Sequence, residues 1–202
     1  MPTLSTSFFP SSNAAIILPT GTGAAGTEIS YAQLHQHISA LQRRLASVGI
    51  SAGSAVSIVL PNTLEFAVSF LAVAAQRAIA APLNPAYKQT EFEFFVDDIK
   101  SALVIVPRGA VAADTPAVRA ARGFGAGVAE VWWDGAKGEV IMDLKVWGKL
   151  GGAVKVQEAQ VEDVALVLHT SGTTGRPKAV PLTHGNLTRT MGLFHEECNG
   201  DW

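Results

Sequence analysis

The first long polar and apolar pattern in the chain is helical. Between residues 31 and 48 apolar side chains recur at alternating three- and four-residue steps, which predicts an amphipathic helix with one buried stripe. Ser30 and Gln33 have the spacing of a capping box at the start of this helix, and Gly49 is suited to end it.

A β-hairpin is predicted before this helix. A short apolar run at 15–18 and a second short segment at 28–31 flank a Gly-rich turn at 21–26. The turn matches the Gly-x-Gly-x-x-Gly fingerprint of dinucleotide-binding folds, whose helix opens at the glycines. Here the helix opens later, and no Asp or Glu lies between Glu28 and Glu65 to hold a ribose. We therefore interpret the glycines as a hairpin turn.

Beyond residue 50, strand patterns alternate with helical patterns. Apolar runs rich in β-branched residues predict strands at 55–60, 79–83, 103–106, 128–132 and 164–168. Helices are predicted at 64–77, from a capping box at Thr90 and Glu93 through Lys100, and from Pro116 onward. This alternation predicts an α/β fold with a mostly parallel sheet and helices on both faces. Residues 135–160 have weak periodicity, and we expect a connector or a poorly packed excursion there.

The composition indicates a globular chain and excludes several classes of protein. Of 202 residues, 48% are hydrophobic and 16% charged, which favours one buried core. Fifteen Lys and Arg against 17 Asp and Glu offer no general grip on a polyanion, so nucleic acid is not an expected partner. Cys198 is the only cysteine, which excludes an intrachain disulfide and a Cys-rich metal cluster.

Membrane and export signals are not found in the sequence. The longest apolar run, 66–75, is too short for a transmembrane segment. No Lys or Arg precedes Arg43, so the first residues lack the charge of a secretory or transit peptide. We expect a cytoplasmic location and no transmembrane segment.

A run of glycine and hydroxyl residues follows the strand at 164–168 and predicts a phosphate-binding loop. Backbone N–H groups in such a loop can converge on an anion, glycines allow close approach, and a lysine supplies positive charge. A Walker loop is excluded, because Pro177 precedes the lysine and Ala179 follows it. The predicted nucleotide-binding residues are Thr170, Ser171, Gly172, Thr173, Thr174, Gly175 and Lys178.

Two other groups of residues are interpreted as structural. His35 and His37 are two apart on the polar face of the first helix, so they do not face each other and are expected to be solvated rather than metal ligands. Trp132 and Trp133 are expected to be core and cover. No metal ligand and no catalytic residue is predicted.

Residues 170–178 resemble the nucleotide motif of the adenylate-forming superfamily, the AMP-binding or AMP-dependent synthetases and ligases. Segments 29–34, 61–66 and 81–85 also resemble conserved segments of this superfamily, so the likeness covers most of 13–190. It includes acyl-CoA synthetases, luciferases and the adenylation domains of peptide synthetases. Within it, residues 169–171 and 179–183 are similar to the oxalate and related short-chain acyl-CoA ligases of fungi and plants.

The resemblance implies an ATP-dependent, AMP-forming acyl-CoA ligase that takes a small carboxylic acid and coenzyme A. The carboxylate is joined to the α-phosphate of ATP, and the acyl group then passes to the thiol of CoA. By the same resemblance, residues 170–175 cradle the β- and γ-phosphates, while Lys178 offsets the charge on the departing pyrophosphate. Mg²⁺ and CoA are implied as well, with ligands largely outside this sequence. Many members of the family have Gly where this chain has Ala179.

The family also implies later elements: an adenine- and metal-binding segment, an Asp for the ribose and a mobile C-terminal domain with a catalytic Lys. Only 24 residues follow Lys178. We therefore expect residues 1–202 to be a truncated N-terminal part of an AMP-binding domain, with little or no activity alone. The alternative is a non-catalytic fragment that binds or regulates a full-length relative.

Two further expectations follow for a sheet cut short in this way. Its unpaired edge favours self-association. By the family resemblance, a full-length relative could end in a peroxisomal address such as Ser-Lys-Leu, whereas the last three residues here, Gly-Asp-Trp, are not one.

Overall fold

A single mixed sheet organises the protein, and a small hairpin packs beside it. The computed structural model describes residues 2–7, 10–19, 26–170 and 177–198, with side chains described up to residue 192. The helices are α1 (Leu4–Ser7), α2 (Tyr31–Ser47), α3 (Leu64–Ala75), α4 (Gln89–Asp98), α5 (Pro116–Phe124) and α6 (His184–Cys198). The strands are β1 (Ala14–Leu18), β2 (Thr27–Ser30), β3 (Ala55–Ile58), β4 (Ile79–Pro82), β5 (Leu103–Pro107), β6 (Gly127–Asp134), β7 (Glu139–Val146), β8 (Val164–Thr170) and β9 (Lys178–Thr183).

The large sheet has seven strands in the order β7-β6-β5-β3-β4-β8-β9. The five inner strands are parallel, and the two outer strands, β7 and β9, run antiparallel to their neighbours. Helices α2 and α3 pack in one hydrophobic cluster against the sheet, and α4 and α5 pack in another. The mostly parallel α/β fold with helices on both faces is therefore confirmed.

The local signals read around the first helix are confirmed. The Oγ of Ser30 accepts the N–H of Gln33 at 3.2 Å, and the Ser30 N–H donates to the Gln33 side chain at 2.8 Å, which completes the capping box. Gly49 follows the helix with φ of 88°. Strands β1 and β2 pair antiparallel as predicted, although most of the glycine-rich turn between them lies outside the described residues.

The predicted capping box of α4 is wrong. The helix begins at Gln89, and the carboxylate of Glu91 accepts the N–H of Lys88 at 2.7 Å, so the cap lies two residues before Thr90. A local apolar contact accompanies this earlier start. Tyr87, just before the cap, lies against the Phe92 ring at 5.9 Å between centroids, the arrangement called a hydrophobic staple.

The interpretation of 135–160 as a connector is wrong for its first half. Strand β7 pairs with β6 along its whole length, and its side chains Val140 and Met142 are buried. Residues 151–160 form no helix or strand, but they are tied to the core. Val154 donates its N–H to the Ala46 carbonyl at 2.9 Å, and the buried Gln76 side chain donates to the Lys155 carbonyl at 3.3 Å.

The expectation that His37 is solvated is also wrong. Its side chain is buried, and its ring meets Trp133 edge-on at 5.6 Å between centroids. Burial lowers the pKa of His37, and nearby Glu139 opposes that shift. Trp133 packs against the core and Trp132 is half-buried under the Arg108 guanidinium, as expected for core and cover.

Among the described residues, no helix is long and apolar enough to cross a membrane. Within the same residues, no group of three or more His, Cys, Asp or Glu side chains could hold a metal ion.

Candidate functional site

The hairpin of β8 and β9 brings the two ends of the predicted phosphate loop together. Thr170, the last residue of β8, lies opposite Lys178, the first residue of β9, in the antiparallel register. Both residues are exposed. The loop residues between them, Ser171, Gly172, Thr173, Thr174 and Gly175, lie outside the described residues.

The loop begins at the carboxyl edge of the parallel sheet. Strands β3, β4 and β8 run in the same direction, so the segments that follow them meet at one edge. In open α/β sheets this edge is where ligands bind. A cleft of about 510 Å³ lies there, walled by residues that follow β3 and β4, including Asn62, Phe66 and Asn84.

The Lys178 ammonium is available for a ligand. It forms no ion pair with any side chain in the described part of the chain. Because it stands directly across the ladder from Thr170, its charge and the Thr170 hydroxyl flank the mouth of the loop. A flexible ammonium beside a hydroxyl and a glycine-rich backbone suits the oxygens of a phosphate.

A buried imidazole supports the strand that leads into the loop. The Nε2–H of His169, one residue before Thr170, donates to the Asp98 carboxylate at 3.0 Å. The His169 side chain is only 6% exposed, and its ring lies 4.6 Å from that of Phe95 between centroids. The last residue of α4 is thereby tied to the end of β8.

A second imidazole fixes the far end of the same hairpin. His184, the first residue of α6, is fully buried. Its Nδ1 accepts the Leu4 N–H at 3.1 Å, and its Nε2–H donates to the Ala74 carbonyl at 3.2 Å. One neutral tautomer satisfies both bonds, and burial lowers the pKa of His184 in agreement with it.

An ion pair holds the approach to β8. The Arg77 guanidinium grips the Asp163 carboxylate with two hydrogen bonds of 2.8 and 3.0 Å. The hydrogen bond from Arg77 lowers the pKa of Asp163. Side-chain contacts therefore anchor the start of β8, the end of β8 and the far end of its partner strand β9.

Comparison with known proteins identifies the family. Residues 9–201 match the family model described as AMP-binding enzyme. The chain belongs to this AMP-binding family. Its relatives include the oxalate–CoA ligase of Saccharomyces cerevisiae, 32% identical over 91% of this chain and 37% of that protein. The oxalate–CoA ligase of Arabidopsis thaliana is 37% identical over 81% of this chain and 31% of that protein.

Solved structures agree with the fold of this family. Apo MatB from Rhodopseudomonas palustris superposes with a TM-score of 0.67 at 25% identity, covering 89% of this chain and 33% of MatB. The ATP-bound structure of the same MatB gives a TM-score of 0.64 at 28% identity, covering 83% of this chain and 32% of that one. The chain spans about a third of the length of the relatives it matches.

Sequence reasoning located the two ends of the loop but missed its support. Thr170 and Lys178, the two ends of the motif, lie opposite each other in the ladder, and no sequence pattern predicted that pairing. The pair of Asp98 and His169 was not foreseen, because its members are 71 residues apart and no local spacing relates them. Only the packing of α4 over the end of β8 could reveal it.

Proposed function

We propose that this chain carries the triphosphate-binding part of the active site of an AMP-forming acyl-CoA ligase. One observation carries the proposal: Lys178, which has no ion-pair partner among the described residues, stands across the β-ladder from Thr170 at the carboxyl edge of a parallel sheet. The residues between them are rich in glycine and hydroxyl groups. Family membership and the likeness to a MatB structure with bound ATP support the same assignment.

The chemistry asked of these residues is binding and charge stabilisation. A carboxylate oxygen attacks the α-phosphorus of ATP, the bond from that phosphorus to the bridging oxygen breaks, and pyrophosphate leaves with the bonding electrons. Negative charge therefore grows on the β- and γ-phosphate oxygens. In the proposed arrangement Lys178 and the donors of the loop, Thr170 among them, offset that charge.

Other components of the family reaction would come from elsewhere. The described residues supply no carboxylate or imidazole cluster for Mg²⁺, so we assign no step to the metal and expect it to arrive on the phosphates of ATP. The named oxalate–CoA ligases support a short carboxylic acid as acyl substrate and CoA as acceptor. No observation favours a regulatory role for the chain.

Titration of the 202-residue chain with MgATP tests the proposal. We expect calorimetry to detect binding, and Lys178→Ala to weaken it about tenfold or more, because a lost charge-assisted contact to phosphate costs more than about 1.4 kcal/mol. Lys137→Ala, on the exposed turn between β6 and β7, is the matched control and should leave affinity unchanged. Binding that survives Lys178→Ala would contradict the assigned role.

Catalysis is a separate measurement. Because the chain spans about a third of its relatives, we expect oxalate-dependent exchange of pyrophosphate into ATP to stay at background with these 202 residues alone. Robust exchange that Lys178→Ala abolishes would show that these residues suffice for adenylation.

A further inference from the structure

We propose that Asp98 and His169 form a positioning pair that holds the loop end of the β8–β9 ladder, where Thr170 lies opposite Lys178. The inference rests on the proposed function, since the loop it concerns is the one assigned to the triphosphate. Neither residue is expected to touch the nucleotide. They act through Thr170 and Lys178, whose opposition across the β8–β9 ladder sets the mouth of the loop.

The hydrogen bond between His169 and Asp98 lies at the loop end of the β8–β9 ladder. His169 is adjacent to Thr170, and its cross-strand partner Ala179 is adjacent to Lys178. A bond from the His169 ring therefore restrains both strands at the point where the ladder gives way to the loop. β9 is an edge strand that pairs only with β8 in the described part of the chain. This corner of the sheet consequently depends on side-chain support.

The hydrogen bond connects β8 to the end of a well-packed helix, α4. Asp98 is the last residue of α4, and this helix is fixed by Phe92, Phe95 and Val96, which are buried in the second hydrophobic cluster. The ring of His169 also packs on Phe95, with a tilt of 58°. A rigid helix end thus holds the imidazole through one directional bond and one ring contact.

The burial of the His169 ring favours its hydrogen bond to Asp98. The His169 side chain is 6% exposed, whereas the Asp98 side chain is 34% exposed. The polar Nε2–H of a nearly buried ring needs a partner, and a carboxylate is a stronger acceptor than a neutral oxygen. The geometry and burial of the two side chains therefore favour the hydrogen bond between them.

Packing of a ring at position 169 against Phe95 does not by itself require the hydrogen bond to Asp98. A phenylalanine at position 169 would fill the same space against Phe95 without needing an acceptor. Substitutions can therefore distinguish the effect of the hydrogen bond from the effect of the space that the His169 ring fills.

The test compares MgATP affinity across a set of variants of the 202-residue chain. His169→Phe keeps the ring and loses the bond, and Asp98→Ala removes the acceptor. We expect each to raise the Kd for MgATP about tenfold. The double variant should be no weaker than either single one, because both remove the same interaction. His169→Gln, which retains a donor of similar reach, should recover much of the affinity.

Asp97→Ala is the matched control. Asp97 is adjacent to Asp98 on α4, but its carboxylate pairs with the exposed Lys100 and does not reach β8. We expect wild-type MgATP affinity for this variant. Wild-type affinity in His169→Phe and Asp98→Ala as well would overturn the positioning role, as would equal losses in His169→Phe and His169→Gln.

Amide hydrogen exchange separates this proposal from the proposed function. Without any nucleotide, His169→Phe and Asp98→Ala should speed exchange of the backbone amides at the loop end of the β8–β9 ladder, whereas Asp97→Ala should not. If the wild-type chain binds no MgATP, the proposed function fails while exchange still decides whether the pair restrains the ladder. Unchanged exchange together with unchanged affinity would refute the pair's role outright.

Discussion

Single buried imidazoles do much to hold the hairpin that carries the candidate site. His184 joins three segments through one ring, since its two nitrogens bond Leu4 of α1 and Ala74 of α3 while its own backbone begins α6. Protonation would turn Nδ1 from an acceptor into a donor facing the Leu4 N–H. The structure therefore favours the neutral ring, in agreement with the lowered pKa of His184.

The stability of the protein should consequently depend on pH. The unfolded chain binds a proton at His184 near the ordinary pKa of 6.5, whereas the folded chain resists protonation until lower pH. Stability is thus complete above about pH 6.5 and falls as the pH drops from there through the lowered folded-state pKa. Urea unfolding between pH 5 and 8 measures this. His184→Gln should be less stable at pH 8 but lose less on acidification.

The pKa of the buried His37 is lowered like that of His184, so His37 provides a second test of the same pH dependence. Its pKa is also lowered by burial, so His37→Gln should remove a second part of the pH dependence. If neither variant changes the slope of stability against pH, the neutral-histidine account is wrong.

At the scale of elements, helix starts differ in how they are capped. Ser30 caps α2 with a complete capping box, whereas Thr63, at the start of α3, makes no side-chain capping bond. Ser30→Ala should therefore lower the free energy of unfolding by about 1 kcal/mol, and Thr63→Ala by much less. Chemical denaturation of both variants checks this difference. Equal losses would show that the capping box contributes nothing beyond propensity.

The turn that follows β7 is a second sensitive element. Gly148 has φ of 54°, and a Cβ there would lie 2.4 Å from the carbonyl carbon of Ala126. Gly53 also has positive φ but has open space around it. We expect Gly53→Ala to cost about 1 kcal/mol from backbone strain alone and Gly148→Ala to cost several times that. Thermal unfolding of the two variants distinguishes the cost of backbone strain from the cost of a steric clash.

At the scale of the whole molecule, the β8–β9 hairpin leaves an apolar strip in solvent. Leu168 and Val180 face each other across the ladder and are 41% and 38% exposed, and the outer edge of β9 has no strand partner among the described residues. Exposed apolar area beside an open edge favours association. The chain should therefore gain mass with concentration in light scattering after gel filtration.

Substitutions can assign that association to the strip. A Leu168→Lys and Val180→Lys double variant should remain monomeric, because charge on the strip opposes pairing. Ile17→Lys, which changes a 61% exposed residue on the separate β1–β2 hairpin, is the control and should associate like the wild type. A wild-type chain that stays monomeric at every concentration would contradict the prediction.

The sequence by itself determined whatever depends on neighbours along the chain. The capping box at Ser30, the proline that opens α5 and the alternation of apolar runs with helical repeats predicted the elements and hence a parallel α/β sheet. The motif at 170–178 likewise indicated the family, because the residues that make up a phosphate loop are contiguous.

Only the tertiary structure decided features in which distant segments meet. The amphipathic pattern of β7 was too weak to predict a strand, and hydrogen-bonded pairing with β6 stabilises it as one. His37 lies on a nominally polar helix face, yet Trp133 covers it. The bond between Asp98 and His169 arises because α4 ends over β8. Such contacts depend on the relative placement of whole elements, which local sequence does not encode.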